Sequence, residues 1–132
     1  MGTITKVLQT AGEVISKTTQ TLIGEVIKVT FIDFITLHIK YTKGDETGCI
    51  LQAHPQRTLT EDVAQDQSWT AAAGTKTHTL NEFTLSDGIE HYITFDVRGI
   101  AYIKFTQGGS DNDGTPTGTF KASYSASYSR QG

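Results

Sequence analysis

The sequence has few of the residues that act as covalent or catalytic landmarks. Its 132 residues include one cysteine, two prolines, one tryptophan and one methionine. The single thiol, Cys49, excludes an internal disulfide, so the fold depends on packing and backbone pairing. No apolar run reaches the roughly 20 residues of a membrane-spanning helix, and residues 1–6 lack the apolar segment of a signal peptide. We therefore expect no membrane partner and synthesis in the cytoplasm.

The sequence also lacks a large excess of positive or negative charge. Eleven Lys and Arg stand against 14 Asp and Glu, a formal net charge of −3, and the basic residues are scattered singly. Proteins that bind nucleic acid cluster their basic residues. We expect no nucleic-acid partner, and the length predicts one domain.

Threonine, by contrast, is abundant, with 22 copies in the chain. Its branched Cβ costs rotamer freedom in a helix but suits the pleated surface of a sheet. The composition therefore favours an all-β protein.

Alternation of apolar and polar residues predicts several short strands. The clearest are residues 29–41, 89–97, 100–106 and 119–129. In the first, Asp33 falls on the apolar side together with Phe31, and both of its chain neighbours on the polar side are apolar. This pattern predicts a bulge or a second buried face near Asp33. Gly44 and Asp45 then favour a tight turn, and residues 47–52 are expected to return as the hairpin partner.

Two further segments interrupt the pattern. Residues 53–68 are predicted to form a long loop, because Pro55 disfavours a central strand. Near the N-terminus a helical stripe competes with strands, and its positions are Ile4, Leu8, Ala11, Ile15, Thr18 and Leu22. Gly12, Gly24 and the Thr-rich run 17–21 disfavour the helix. The chain is thus predicted to be a single β-sandwich or jelly-roll-like domain over 25–132, with 1–24 as an extended N-terminal arm or the first strands.

No pattern of metal ligands is present. The four histidines have no mutual spacing that suits a metal, and no cysteine is close to them in sequence. The loop 107–118 contains Ser-Asp-Asn-Asp-Gly at 110–114, a density of oxygens that suits calcium. An EF-hand starting at Asp111 needs Glu at the position of Ala122, so a turn is the preferred interpretation and a structural calcium stays open. We expect no metal and no cofactor.

Catalytic arrangements are equally scarce. Cys49 lies in a predicted strand, where a thiol acts as a small buried hydrophobe more often than as a nucleophile. The carboxylates of Asp45 and Glu46, and those of Glu61 and Asp62, are adjacent within loops, and we interpret them as solvated. The sequence predicts no catalytic residues and no enzyme.

Three stretches point to a family. They are YTKGDET at 41–47, FDVRGIAYIKF at 95–105, and GTPTGTF at 114–120 leading into a last strand of Ala, Ser and Tyr. Over roughly residues 25–128 the sequence resembles the small β-sandwich virion proteins of tailed bacteriophages, of the head decoration and minor capsid type.

The resemblance implies a capsid-stabilising decoration protein on the capsid surface of a virion, made in the host cytoplasm. Its partners would be the major capsid protein or other virion proteins, and copies of itself in an oligomer, with a trimer favoured because trimers suit three-fold positions of a shell. Two alternatives stay open. One is a tail, collar or adaptor component, and the other is a glycan-binding β-sandwich module that uses Trp69.

Two segments are predicted to contact partners. A β-prone N-terminal segment, residues 3–23, can add to a neighbour's sheet edge, and long loops such as 53–68 often carry binding. The predicted contact residues are Ile4, Val7, Leu8, Val14, Ile15, Arg57, Leu59, Val63 and Trp69.

Overall fold

The computed structural model describes residues 2–13, 21–60, 67–71, 74–78, 82–109 and 116–128, and over these ranges the chain forms strands and turns. The strands are β1 (Gly2–Glu13), β2 (Thr21–Leu22), β3 (Ile27–Lys28), β4 (Phe34–Thr42), β5 (Cys49–Gln56), β6 (Gln67–Ala71), β7 (Gly74–His78), β8 (Glu82–Leu85), β9 (Glu90–Asp96), β10 (Tyr102–Gly109) and β11 (Thr119–Tyr128). The described part contains no helix that could cross a membrane.

The strands form two antiparallel sheets. One has six strands in the order β1-β11-β4-β9-β6-β7, and the other has the order β2-β10-β5-β8, with β3 also paired to β10. Most connections pass from one sheet to the other. The β2–β3 connection stays in one sheet, where Gly24 takes a positive φ of 64° between the two short strands. The all-β sandwich predicted from the sequence is confirmed.

The core lies between the two sheets and is built from alternate residues of each strand. In the six-stranded sheet β4, β9 and β11 turn Ile, Leu, Phe, Tyr and Ala inward. Phe95 of this sheet contacts two rings of the other one, with centroids 6.0 Å from Phe83 and 5.2 Å from Phe105. The period of two predicted for residues 89–97 and 119–129 therefore marks the buried faces correctly.

The predicted hairpin between residues 29–41 and 47–52 is wrong. β4 pairs with β9 and β11, whereas β5 lies in the opposite sheet between β10 and β8. The connection at 43–48 therefore crosses the sandwich edge. Gly and Asp favour a reversal of the chain, but they do not determine whether the returning strand stays in the same sheet.

The predicted start of the long loop at residue 53 is also wrong. β5 continues through Pro55, which lies opposite Ile103 of β10. Proline is tolerated here because β8 pairs only with residues 49–52, so the second half of β5 is bordered by β10 alone. β10 likewise extends to Gly109, into the predicted loop 107–118.

The bulge predicted at Asp33 is absent, because the strand begins only at Phe34. The chain turns at Thr30 and Phe31, and Asp33 links two elements: its N–H donates to Ser127 O (2.9 Å) and its carbonyl accepts from Val97 N (3.0 Å). Phe31, expected on a buried face, is 84% exposed. A turn rather than a bulge therefore accounts for the break in alternation.

The N-terminal segment forms an edge strand over its described part, so the helical alternative is wrong for residues 2–13. β1 pairs along β11 from Gly2 opposite Tyr128 to Glu13 opposite Thr119, with register shifts between Val7 and Gln9 and between Gln9 and Gly12. Lys6 Nζ lies 2.6 Å from Glu25 Oε1 in the β2–β3 connection. The division of the chain at residue 24 stays a prediction.

Candidate functional site

A buried carboxylate joins the β4–β5 connection to the segment before β11. Glu46 is buried, with only 2% of its surface exposed. Its Oε1 accepts from the backbone N–H of Thr117 (3.0 Å) and of Gly118 (2.9 Å), and its Oε2 accepts from Gly44 N (3.0 Å) and from the Tyr41 hydroxyl. We call these five residues the Glu46 clamp.

Four hydrogen bonds within the clamp satisfy the charged carboxylate of Glu46. Hydrogen bonds from Gly44, Tyr41 and Gly118 overcome the cost of burial and lower the pKa of Glu46 to about 2. Burial and the Glu46 carboxylate raise the pKa of the Tyr41 hydroxyl. A Cβ on Gly44 would collide with Thr117, and one on Gly118 would collide with Glu46. Both glycines are thus required by close approach of the chain.

The interpretation of Glu46 as a solvated loop residue is therefore wrong. A buried carboxylate needs donors, and two of them come from residues more than 70 positions further along the chain. The clamp brings together two of the three stretches that carried the family resemblance, 41–47 and 114–120. Because every carboxylate lone-pair direction is used within the chain, we assign the clamp a structural role.

Other buried titratable groups are also held by the fold. Cys49 is fully buried, and desolvation raises the pKa of its thiol to about 12, in agreement with the predicted hydrophobic role. His91 Nε2 accepts from Ser86 N (3.1 Å), and burial lowers the pKa of this imidazole. Among the described residues no group of three or more His, Cys, Asp or Glu could hold a metal. The loop 110–115 with its open calcium alternative lies outside the described residues.

The outer face of the six-stranded sheet consists of rows of polar residues in register. One row runs Thr5, Ser125, Thr36 and Thr94, with Thr36 and Thr94 joined by a hydroxyl hydrogen bond of 2.9 Å. The next row contains Val7, Ser123, His38 and Tyr92, and a third contains Lys121, Lys40 and Glu90. Part of the threonine excess of the sequence thus lies on an outward-facing surface.

A groove opens on the second and third of these rows, where the first register shift of β1 interrupts its pairing with β11. Its cavity volume is about 400 Å³, and it is lined by Val7, His38, Lys40, Glu90, Lys121, Ala122 and Ser123. The His38 ring stacks on Tyr92 with centroids 4.2 Å apart. We call this feature the outer-sheet groove. No local pattern in the sequence locates the groove, because its lysines and Glu90 come from three separate strands.

A second exposed surface lies at one end of the sandwich. Val29 N donates to Ala101 O (2.8 Å) and Ala101 N donates to Gln56 O (3.2 Å), which brings the segments 29–34, 56–60 and 97–101 to the same end. Its exposed apolar side chains are Phe31, Phe34 and Leu59. The Arg98 guanidinium lies 5.1 Å from the centroid of the Phe34 ring. We call this surface the aromatic end.

The predicted contact residues separate into three places. Ile4, Val7 and Leu8 belong to β1, with Val7 63% exposed at the outer-sheet groove. Arg57 and Leu59 are exposed near the aromatic end. The backbone of Trp69 lies in β6 opposite Lys76. Val14, Ile15 and Val63 lie outside the described residues, and the roles of all nine stay predictions.

Two antiparallel sheets with crossing connections define this chain as a β-sandwich protein, and among solved structures its fold is similar to that of viral and prophage proteins. The SPBc2 prophage-derived protein YomS matches with a TM-score of 0.63 and 16% identity, over 95% of this chain and 92% of that one. A chain of the T13 particle of infectious bursal disease virus matches with a TM-score of 0.51 and 9% identity.

The viral match covers 96% of this chain but 31% of the viral one, so this chain spans about a third of that protein's length. No protein-family model matches the chain, and no curated protein matches it in sequence. At identities this low the two structural matches establish the shared fold alone.

Proposed function

We propose that the chain is a structural protein of a virus particle, and specifically a head decoration protein that binds the assembled capsid shell. The observation that carries the proposal is the match to the prophage-derived protein YomS, which covers nearly the whole of both chains. A domain of this size suits a role as a repeated building block. The resemblance of its turn sequences to phage virion proteins supports the same role.

The aromatic end is the surface that we assign to shell contact. Interfaces are enriched in aromatic residues and arginine, and a few such residues supply most of the binding energy. Phe31 is the most exposed large hydrophobic residue of the described part, and Leu59 is also more than half exposed. Arg57 and Leu59 were already predicted as contacts from the sequence. In a particle, we expect these side chains to lose their exposure to water.

The direct test is association with shells of the same virus that lack this protein. Purified chain is mixed with such shells, sedimented, and quantified in the pellet by gel densitometry and by cryo-electron microscopy. We expect saturable binding that Phe31→Ser and Leu59→Ser weaken at least about tenfold, because each removes an exposed apolar side chain that the interface would bury. The matched control is Thr84→Ser, an exposed position on β8 of the five-stranded sheet.

Two outcomes would contradict the assignment. Failure of the purified chain to bind undecorated shells removes the decoration role, and labelling that places it in the tail or collar supports the alternative virion component. Light scattering on the isolated chain tests the proposed homotrimer separately, because a monomeric mass at micromolar concentration excludes a stable trimer.

A further inference from the structure

The outer-sheet groove contains charges that the described part of the chain does not neutralise. Lys40 and Lys121 are directly opposite each other on neighbouring strands β4 and β11. Like charges in this position repel and destabilise the pairing of two strands. Among the described residues, neither ammonium has a carboxylate within the 4.0 Å of an ion pair. Glu90 lies opposite Lys40 on β9, so the two lysines leave one positive charge in excess over this row of described residues, which forms a candidate site for an anion.

A second polar group in the groove also lacks a partner among the described residues. The His38 Nε2 atom is buried and forms no hydrogen bond with the described residues. Glu90 Oε1 is 3.9 Å away, beyond hydrogen-bond distance. Buried polar atoms are almost always bonded, and an exception calls for a physical explanation. A small movement of the exposed Glu90 side chain when a ligand binds would close this gap.

From these observations we propose that the outer-sheet groove binds an acidic saccharide, with the sugar carboxylate between Lys40 and Lys121 and the ring hydroxyls toward Glu90 and Ser123. The proposal does not depend on the shell-binding role.

The distribution of donors and acceptors selects this ligand class. The lysines offer only donors, so they require an anionic acceptor, whereas the Glu90 carboxylate offers only acceptors and requires O–H or N–H donors. A sugar acid carries one carboxylate next to several hydroxyls on a single rigid ring. A run of acidic side chains from a protein would satisfy the lysines but would bring negative charge toward Glu90.

The size and walls of the groove agree with this choice. A cavity of about 400 Å³ lies within the usual range of about 300–1,000 Å³ for ligand clefts, far above what a phosphate ion fills. Val7 and Ala122 supply apolar walls that suit the C–H face of a sugar ring. The His38 ring also lines the groove, and it stacks on the Tyr92 ring.

The experiment measures binding to the isolated, full-length chain by isothermal titration and by chemical-shift changes in NMR spectra. The three probes are an oligomer of glucuronic acid, its carboxyl-reduced neutral counterpart, and a glutamate peptide of equal charge. We expect the glucuronate oligomer to bind at least about tenfold more tightly than the other two, since it alone offers both the carboxylate and the hydroxyls.

Variants locate the binding in the groove. Lys40→Ala and Lys121→Ala are each expected to weaken glucuronate binding at least about tenfold, through loss of a charge-assisted hydrogen bond. The matched control is Lys28→Ala, an exposed lysine on β3 of the other sheet, which should change the affinity less than about twofold. Glu90→Gln should reduce the preference for glucuronate over the glutamate peptide, because an amide no longer repels a second carboxylate.

Three results would overturn the proposal. The first is absence of glucuronate binding at millimolar concentration by a chain whose NMR spectrum shows that it is folded. The second is equal affinity for the glutamate peptide, which would identify an acidic protein segment as the occupant. The third is an equal loss of affinity in Lys28→Ala, which would show non-specific attraction between charges.

Discussion

The Glu46 clamp and the outer-sheet groove differ in whether their charged groups have partners. In the clamp one buried carboxylate receives a donor for each of its acceptor directions, and the pKa of Glu46 falls to about 2. In the groove two lysines are opposite each other without a carboxylate in ion-pair range among the described residues. The first arrangement is complete within the chain, whereas the second lacks a full counter-charge among the described residues.

The difference separates polar residues that hold the fold from polar residues that are available to a partner. A satisfied buried network makes one chain arrangement more stable than its competitors. An exposed cluster of like charges costs a little stability in the free chain and gains energy only when a ligand supplies the missing groups. Changes in the clamp should therefore affect unfolding, and changes in the groove should affect binding.

Removal of the clamp carboxylate should have the largest effect on stability. Glu46→Ala leaves the N–H groups of Gly44, Thr117 and Gly118 without their acceptor, and we expect a loss of about 3–5 kcal/mol in the free energy of unfolding. Urea unfolding followed by tryptophan fluorescence measures it. Asp45→Ala, an exposed carboxylate in the same connection, is the control and should cost less than about 0.5 kcal/mol. Equal losses in the two variants would contradict a special role for the clamp.

Acid should weaken the clamp without any mutation. The folded-state pKa of Glu46, about 2, is below the ordinary value of 4.5. The contribution of this group is therefore fully present above pH 4.5 and is lost as the pH falls toward 2, in total about 3 kcal/mol.

The acid effect is measured as the difference between wild type and Glu46→Gln in urea unfolding at several pH values. This difference cancels the contribution of Asp96, whose pKa is also lowered, by hydrogen bonds from Arg98. A difference that stays constant between pH 5 and pH 2.5 would contradict the assigned pKa.

Loss of one donor should have a smaller effect than loss of the acceptor. Tyr41→Phe removes the hydroxyl that donates to Glu46 Oε2 while Gly44 N still donates to the same atom. We expect a loss of about 1–2 kcal/mol in the free energy of unfolding. Tyr102→Phe on β10 is the control and should lie within about 0.5 kcal/mol of wild type. A Tyr41→Phe loss as large as that of Glu46→Ala would mean that the three N–H donors contribute little.

The smallest change in the free energy of unfolding is expected for a substitution in the groove, and it is a gain rather than a loss. Lys121→Gln removes the repulsion from Lys40, so the free energy of unfolding should rise by about 0.2–0.5 kcal/mol at low ionic strength. In 1 M salt the gain should disappear, because a Debye length of about 3 Å screens exposed charges. A clear loss of stability in Lys121→Gln would show that the lysine has a stabilising partner within the chain.

The sequence correctly predicts the strands in which apolar and polar residues alternate regularly. It does so because burial alternates with the same period of two residues. β9 and β11 alternate without interruption, and residues such as Ile93 and Phe120 lie inside as expected. Local signals fail where the decisive contact is distant. Gly44 and Asp45 indicate a turn correctly, but the sheet that β5 joins depends on its pairing with β10.

The clamp and the groove show the same limit for sites. Nothing local distinguishes Glu46 from Asp45, because the donors that hold Glu46 lie at Thr117 and Gly118. The groove residues Lys40, Glu90 and Lys121 become neighbours only through the strand order β11-β4-β9. The alternation of apolar and polar residues gives one local signal for the groove, since each of these residues lies on the polar side of its strand.

Cys49 gives the molecule an internal reporter of its own opening. The thiol is the only one in the chain, is fully inaccessible to water, and lies three residues after Glu46 at the start of β5. An alkylating reagent can reach it only when this corner of the sandwich opens. The rate of single-site labelling therefore follows the opening of the corner in real time, without any engineered probe.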